Sequence, residues 1–183
     1  MTKEILREEQ PEILFFGEGV VDQIKQGNKL VTIRLFGDGV VDPNIDMSEG
    51  TDFLASCRDD NEKILARIVH NKEVLLKDID PMLLGFDGYF ADNPNDVFST
   101  ARVAAADLQQ YYLERQVNIE TPVRLIMFVT HDVLGKLSDD DRDDFCKIAS
   151  EFPMKLFKDK RFDGVFKNVF TGSGRVNLEL INN

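Results

Sequence analysis

Residues Thr121 to Thr130 limit most strongly what this chain can fold into. Their centre, Leu125-Ile126-Met127-Phe128-Val129, is an unbroken apolar run with no alternating polar face. A strand of that kind is buried on both faces, so the rest of the chain must supply cover for each. Several segments are patterned to do so. Glu12 to Phe16 reads as a first strand that breaks at Gly17-Glu18-Gly19. Thr51 to Cys57 and Lys63 to His70 read as an antiparallel pair around the polar loop Arg58 to Glu62, and Glu73 to Ile79 as a further short apolar run. Asp80-Pro81 supplies the N-cap and first-turn proline of a short helix ending near Gly85, and Asp87-Gly88-Tyr89 follows as a turn. A longer helix is expected over Asp96 to Gln116, with Val97, Ala101, Ala104, Ala105, Leu108, Tyr111 and Tyr112 as its apolar stripe.

Beyond the central strand, Ser138 and Asp141 form a cap for a helix that runs to about Glu151 and stops before Pro153. Lys155 to Lys167 is basic and rich in phenylalanine. Thr171-Gly172-Ser173-Gly174, between Val165-Phe166 and the strand-like Arg175 to Leu180, reads as a closing hairpin.

The stretch that joins local structure to chemistry is Gly27-Asn28-Lys29-Leu30-Val31-Thr32-Ile33-Arg34. Val20, Val21 and Ile24 ahead of it have helical spacing, and Gly27 is the residue type that ends a helix in a left-handed turn. The period then switches to two over the strand Leu30 to Phe36. Thr32 and Arg34 share one face, and Val31, Ile33 and Leu35 share the other. Lys29 has the wrong parity for the Thr32 face unless it is still in the turn, from which its side chain can curl back.

Composition narrows the classes of function. A chain of 183 residues with 43% hydrophobic residues and 14 phenylalanines can bury a sizeable core. It has no long uncharged apolar run, so a transmembrane helix is excluded, and the polar start Met1 to Gln10 does not read as a signal or transit peptide. Cys57 and Cys146 are far apart, without metal-type spacing, and fit buried reduced thiols in a cytoplasmic protein. The formal net charge of -11 disfavours tight nonspecific binding of nucleic acid but leaves room for a local basic pocket.

The order strand, helix, Gly-x-Lys-x-x-Thr-x-Arg strand, hairpin, Asp-Gly-Tyr turn, helix ending in Tyr-Tyr and long apolar strand resembles the ASCH family, a PUA-like group. The resemblance runs from about Ile13 to Val129. It is carried mainly by Gly27, Lys29, Thr32, Ile33 and Arg34, with a second match at Gly85-Phe86-Asp87-Gly88-Tyr89. It implies an α+β fold: a small, partly open β-barrel with flanking helices over residues 12–135. Residues 136–183 then form a C-terminal helical and hairpin extension packed on it. It also implies a cleft for a nucleobase, in a modified nucleoside or single-stranded RNA. Some members of the family hydrolyse 4-acetylcytidine with a Lys, Thr and Glu set. Lys29 and Thr32 match the first two and Asp87 stands in the third place, one methylene shorter than glutamate. A displacement of about 1 Å can cost roughly a hundredfold in rate. Other members bind RNA or are ribonucleases, so the resemblance leaves open an amidohydrolase, a binding module and, less favoured, a ribonuclease.

For hydrolysis, Thr32 would attack an amide carbonyl, Lys29 would take the hydroxyl proton, and Asp87 would orient or return it. Spacing alone favours plainer roles: a solvated turn lysine, a β-favouring threonine and a turn-forming aspartate. Arg34 suits a phosphate or a base face as well as a structural ion pair. Phe16, Phe36 and Tyr89 suit a stacking wall as well as a core, and Gly27 counts with Arg34, Tyr89 and Phe16 among the binding residues expected of the cleft. The alternative contact surface, for a noncatalytic RNA-binding or protein-interaction module, is Lys155 to Lys167. No metal or other cofactor is expected. His70 and His131 have no partners at zinc spacing, and Asp42, Asn44 and Asp46 open a calcium-like loop in which Met47 and Phe53 occupy the required glycine and glutamate positions.

Overall fold

The computed structural model describes residues 11–27, 29–35, 47–57 and 61–166. The expected polar start, Phe36, the loop at Asp42 to Asp46 and the arm Arg175 to Leu180 of the closing hairpin lie outside the described residues.

The chain folds as an α+β protein around one five-stranded sheet. Its strands are β1 (Glu12–Phe16), β2 (Val31–Leu35), β3 (Asp52–Cys57), β4 (Lys63–Leu75) and β5 (Pro122–Thr130), in the order β1-β3-β4-β5-β2. β1 runs parallel to β3, and the other neighbours are antiparallel. The apolar run lies in β5, flanked by β4 and β2. Its side chains divide by parity: Val123, Leu125, Met127 and Val129 enter one core, Ile126 and Phe128 the other. The first core is covered by α2 (Pro81–Asp87), α3 (Ser99–Tyr111), the short α4 (His131–Leu134) and α5 (Asp139–Glu151); the second is closed by Val21 and Ile24 of α1 (Val20–Lys25). Full burial of such side chains stabilises a fold by about 1.5–3 kcal/mol each, which makes β5 its apolar centre.

The apolar segments expected over Lys63 to His70 and Glu73 to Ile79 belong in part to one strand. β4 runs through the polar stretch His70-Asn71-Lys72-Glu73 because its pairing with β5 resumes after a register shift between Ile68 and His70. That bulge hides the strand from a period-two reading. α3 is shorter than its apolar stripe. The Gln109 side chain donates to the carbonyls of Tyr112 at 3.0 Å and Arg115 at 2.7 Å and accepts from Val117 N–H at 2.9 Å, organising a turn where the helix was expected to continue. Val97 and Tyr111 are exposed, while Ala101, Ala104, Ala105 and Leu108 are core.

The caps at Asp80 and Ser138 form as their residue types dictate, with side chains accepting from the N–H groups of Met82 at 2.8 Å and Asp141 at 3.2 Å. After α5 come α6 (Pro153–Leu156) and a 3₁₀ turn (Lys160–Phe162), and residues 163–166 are helical, so Val165-Phe166 is not the first arm of a hairpin. Phe157, Phe162 and Phe166 are buried with Phe145, and Phe157 packs on Phe86 of α2 with ring centroids 4.8 Å apart. The aromatic side chains of the basic tail are therefore core, not a contact surface. Among the described residues, no helix is long and apolar enough to cross a membrane.

The sheet is strongly curled. β1 and β2 end the strand order, and a flat sheet would hold them roughly 19 Å apart at the usual strand spacing. Instead, Arg34 Nη2 of β2 donates to the Phe15 carbonyl of β1 at 3.3 Å, and its guanidinium lies 5.5 Å from the centroid of the Phe16 ring. No β1–β2 ladder closes the sheet among the described residues.

Candidate functional site

The curl leaves a cavity of about 790 Å³ bounded by the two edge strands and the ends of three helices. β2 contributes Thr32, Ile33 and Arg34, and the end of β1 contributes Phe15 and Phe16. The end of α2 adds Asp87 and the turn after it Gly88 and Tyr89, while α3 adds Val103, Asp107, Leu108 and Tyr111. Lys29 enters from the connection ahead of β2, not from the strand, so its side chain is free of the strand's parity.

The most buried ion pair among the described residues is Lys29–Asp87, with side chains 9% and 7% exposed. Lys29 Nζ donates to Asp87 Oδ1 and also to the Asp87 backbone carbonyl at 3.3 Å, while Asp87 Oδ2 accepts from Ile33 N–H at 3.0 Å. Ile33 N–H points away from β5, because the Leu30 carbonyl accepts from Phe128 N–H and alternate residues thereafter face the partner strand. Asp87 therefore satisfies an edge group that the sheet leaves open. Its position at the C-terminal end of α2 is unfavourable for a carboxylate, and the Lys29 ammonium offsets both the carboxylate and the carbonyl end of the helix dipole. Burial raises the Asp87 carboxyl above its ordinary range, against the opposing pull of Lys29, Ile33 N–H and Arg34.

Gly88 holds the turn at φ 104°, and the N–H groups of Gly88 and Tyr89 donate to the carbonyls of Gly85 and Leu84, each at 3.0 Å. This helix ending, with its left-handed glycine, fixes Asp87 and Tyr89 toward the cavity. Tyr89 Oη donates to Asp107 Oδ2 at 2.9 Å, and burial, with the charges of Asp87 and Asp107, pushes its phenol well above the ordinary range, so it remains a donor.

The structure thus brings Lys29, Thr32, Arg34, Asp87, Tyr89 and Phe16 to one cavity. Gly27 is not among its lining residues. At φ 76° it turns the chain between α1 and Lys29. Thr32 is 7% exposed, and no hydrogen bond engages its hydroxyl among the described residues. Phe16 is core, overlaid by Arg34; the half-exposed aromatic side chain at this edge is Phe15, at 48%, with Tyr111 at 74% on α3. Phe15, Tyr111 and Asp107 were not identified as site residues by sequence reasoning. For Tyr111, exposed at the end of α3, the apolar stripe was a misleading signal. For Asp107 there was no local signal at all. Among the described residues, no group of three or more His, Cys, Asp or Glu side chains is placed to hold a metal ion.

A scan against models of protein families finds no match, and a comparison with curated proteins also finds none. A comparison with solved structures finds the crystal structure of an ASCH domain from Lactobacillus crispatus, at 10% identity over 65% of this chain and 78% of that chain, with a TM-score of 0.48.

Proposed function

We propose that the cavity recognises a nucleobase, in a modified nucleoside or in single-stranded RNA, and that its enzymatic form is amide hydrolysis of an acylated cytidine. The observation that carries this reading is the convergence of Lys29 and Thr32, from one stretch of the chain, with Asp87, from the end of α2, on one cavity with aromatic walls. In the same reading the curled sheet is the partly open barrel of a PUA-like fold over residues 12–135. The extension, taken as residues 136–183, packs on it through its described part, 136–166.

The chemistry follows from the residues. Thr32 Oγ1 attacks the amide carbonyl, and its proton passes to Lys29 Nζ once Lys29 has handed a proton to Asp87. The raised carboxyl of Asp87 favours that transfer. The leaving amine of the base takes a proton from Lys29, and water then releases the acyl group from Thr32, so that amide and water become carboxylic acid and amine. A second reading, a noncatalytic binding module, is favoured by the engagement of both Asp87 oxygens, by Lys29 and by Ile33 N–H, in a link that fastens α2 to β2.

Acetate release from 4-acetylcytidine by the purified protein separates the two. Turnover that falls at least about a hundredfold in Thr32→Ala supports the hydrolase. Turnover unchanged in Thr32→Ala removes Thr32 as nucleophile. A folded protein that binds cytidine or RNA without releasing acetate is the binding module.

A further inference from the structure

We propose that Asp107 selects the ligand of this cavity by accepting a hydrogen bond from a hydroxyl or amino donor and by repelling a phosphate group. The inference rests on the nucleobase reading and adds a specificity residue to it. Asp107 lines the cavity from α3, the wall that also carries Leu108 and Tyr111. One of its oxygens, Oδ2, is held by Tyr89 Oη at 2.9 Å, whereas Oδ1 makes no hydrogen bond among the described residues.

The two carboxylates of the cavity differ in what surrounds them. Asp87 is neutralised by Lys29 and tied to Ile33 N–H. Asp107 pairs with no cation among the described residues and has only the neutral phenol of Tyr89. An ionised carboxylate is acceptor-only, so a ligand meeting Oδ1 must offer a donor there. A ribose hydroxyl pair or a base amino group does so and gains a charge-assisted hydrogen bond. A phosphate offers only further negative charge, in a protein whose formal net charge is already -11. The opposite requirement comes from Lys29, whose ammonium has three donors, two of them used by Asp87. The cavity therefore fits a ligand with an acceptor, such as an amide carbonyl, toward Lys29 and Thr32, and a donor toward Asp107.

Titration calorimetry with two probes, cytidine and cytidine 5′-monophosphate, on the wild type, Asp107→Asn and Thr32→Val tests this. Asparagine retains a carbonyl for the Tyr89 hydroxyl, and Asp107→Ser serves as the second variant if Asp107→Asn does not fold. The wild type is expected to prefer cytidine by about tenfold or more. Asp107→Asn should weaken cytidine about tenfold and abolish or reverse the preference. Thr32→Val should weaken both probes alike. An Asp107→Asn protein whose cytidine affinity and preference both stay within twofold of wild type overturns the inference, and loss of binding in Thr32→Val would still leave the nucleobase reading in place. A shifted preference in Asp107→Asn with no effect of Thr32→Val supports Asp107 and overturns the assigned ligand pose. Failure of folded wild type to bind either probe overturns both.

Discussion

Replacing Lys29 by methionine tests whether the Lys29–Asp87 pair is a buried charge couple or two independent residues. Methionine keeps most of the unbranched apolar stem, one heavy atom shorter, and removes the charge, leaving the Asp87 carboxylate with Ile33 N–H as its remaining hydrogen-bond donor. Removing one partner of a buried pair costs about 3–5 kcal/mol. Asp87 has an escape, which sets a ceiling. It can take up a proton, at a cost of about 1.4 kcal/mol per pH unit above its ordinary value of 3.8. The ceiling is therefore about 4.4 kcal/mol at pH 7 and about 1.6 kcal/mol at pH 5. The sign follows from proton counting. The unfolded variant has an ionised Asp87 in this window and the folded variant a protonated one, so folding takes up a proton and the variant loses stability as pH rises. Urea unfolding of wild type and Lys29→Met at pH 5 and pH 7 reads both quantities. The destabilisation is expected to be larger at pH 7, by up to about 2.7 kcal/mol. A penalty below about 1 kcal/mol at pH 7, or one that grows as pH falls, would refute the buried-couple account.

Two further outcomes are expected. Phe157→Ala removes the ring that packs on Phe86, one residue before Asp87, and should cost about 3–5 kcal/mol while also weakening ligand binding, measured by denaturation and calorimetry on the same protein. Burial holds the His70 imidazole below its ordinary value of 6.5, and its Nδ1–H donates to the Ser150 carbonyl at 3.0 Å. The unfolded chain therefore binds that proton first. Stability should fall as pH drops below about 6.5, by at most about 1.4 kcal/mol per unit, and His70→Asn should flatten that slope in unfolding titrations between pH 7 and pH 5.

What the sequence disclosed was local. The continuous apolar run of β5, the glycine after α1, the Asp80-Pro81 start of α2 and the Ser138 cap of α5 are each written within a few residues, and each forms where expected. The continuation of β4 past the bulge was not legible, because a register shift is a property of two strands. Nor was the end of α3, where Gln109 ties down a turn up to eight residues ahead. The meeting of Lys29 with Asp87 was suggested by resemblance, and spacing alone could not have separated it from two unrelated turn residues. Asp107 was invisible for a plainer reason. On a helix surface it is one more acid, and it becomes a cavity residue only through Tyr89, which lies 18 positions earlier.

The polar contacts that shape the cavity also bear on how the molecule avoids its own kind. The ends of an open sheet are templates on which another chain can add a strand. Here Asp87 occupies the N–H of Ile33 on one outer edge, and Arg34 takes the Phe15 carbonyl on the other. The proposed ligand site and the cover on these sheet edges thus partly share the same side chains. A variant that loses Arg34 or Asp87 exposes an edge group of the sheet and is expected to self-associate more readily than wild type.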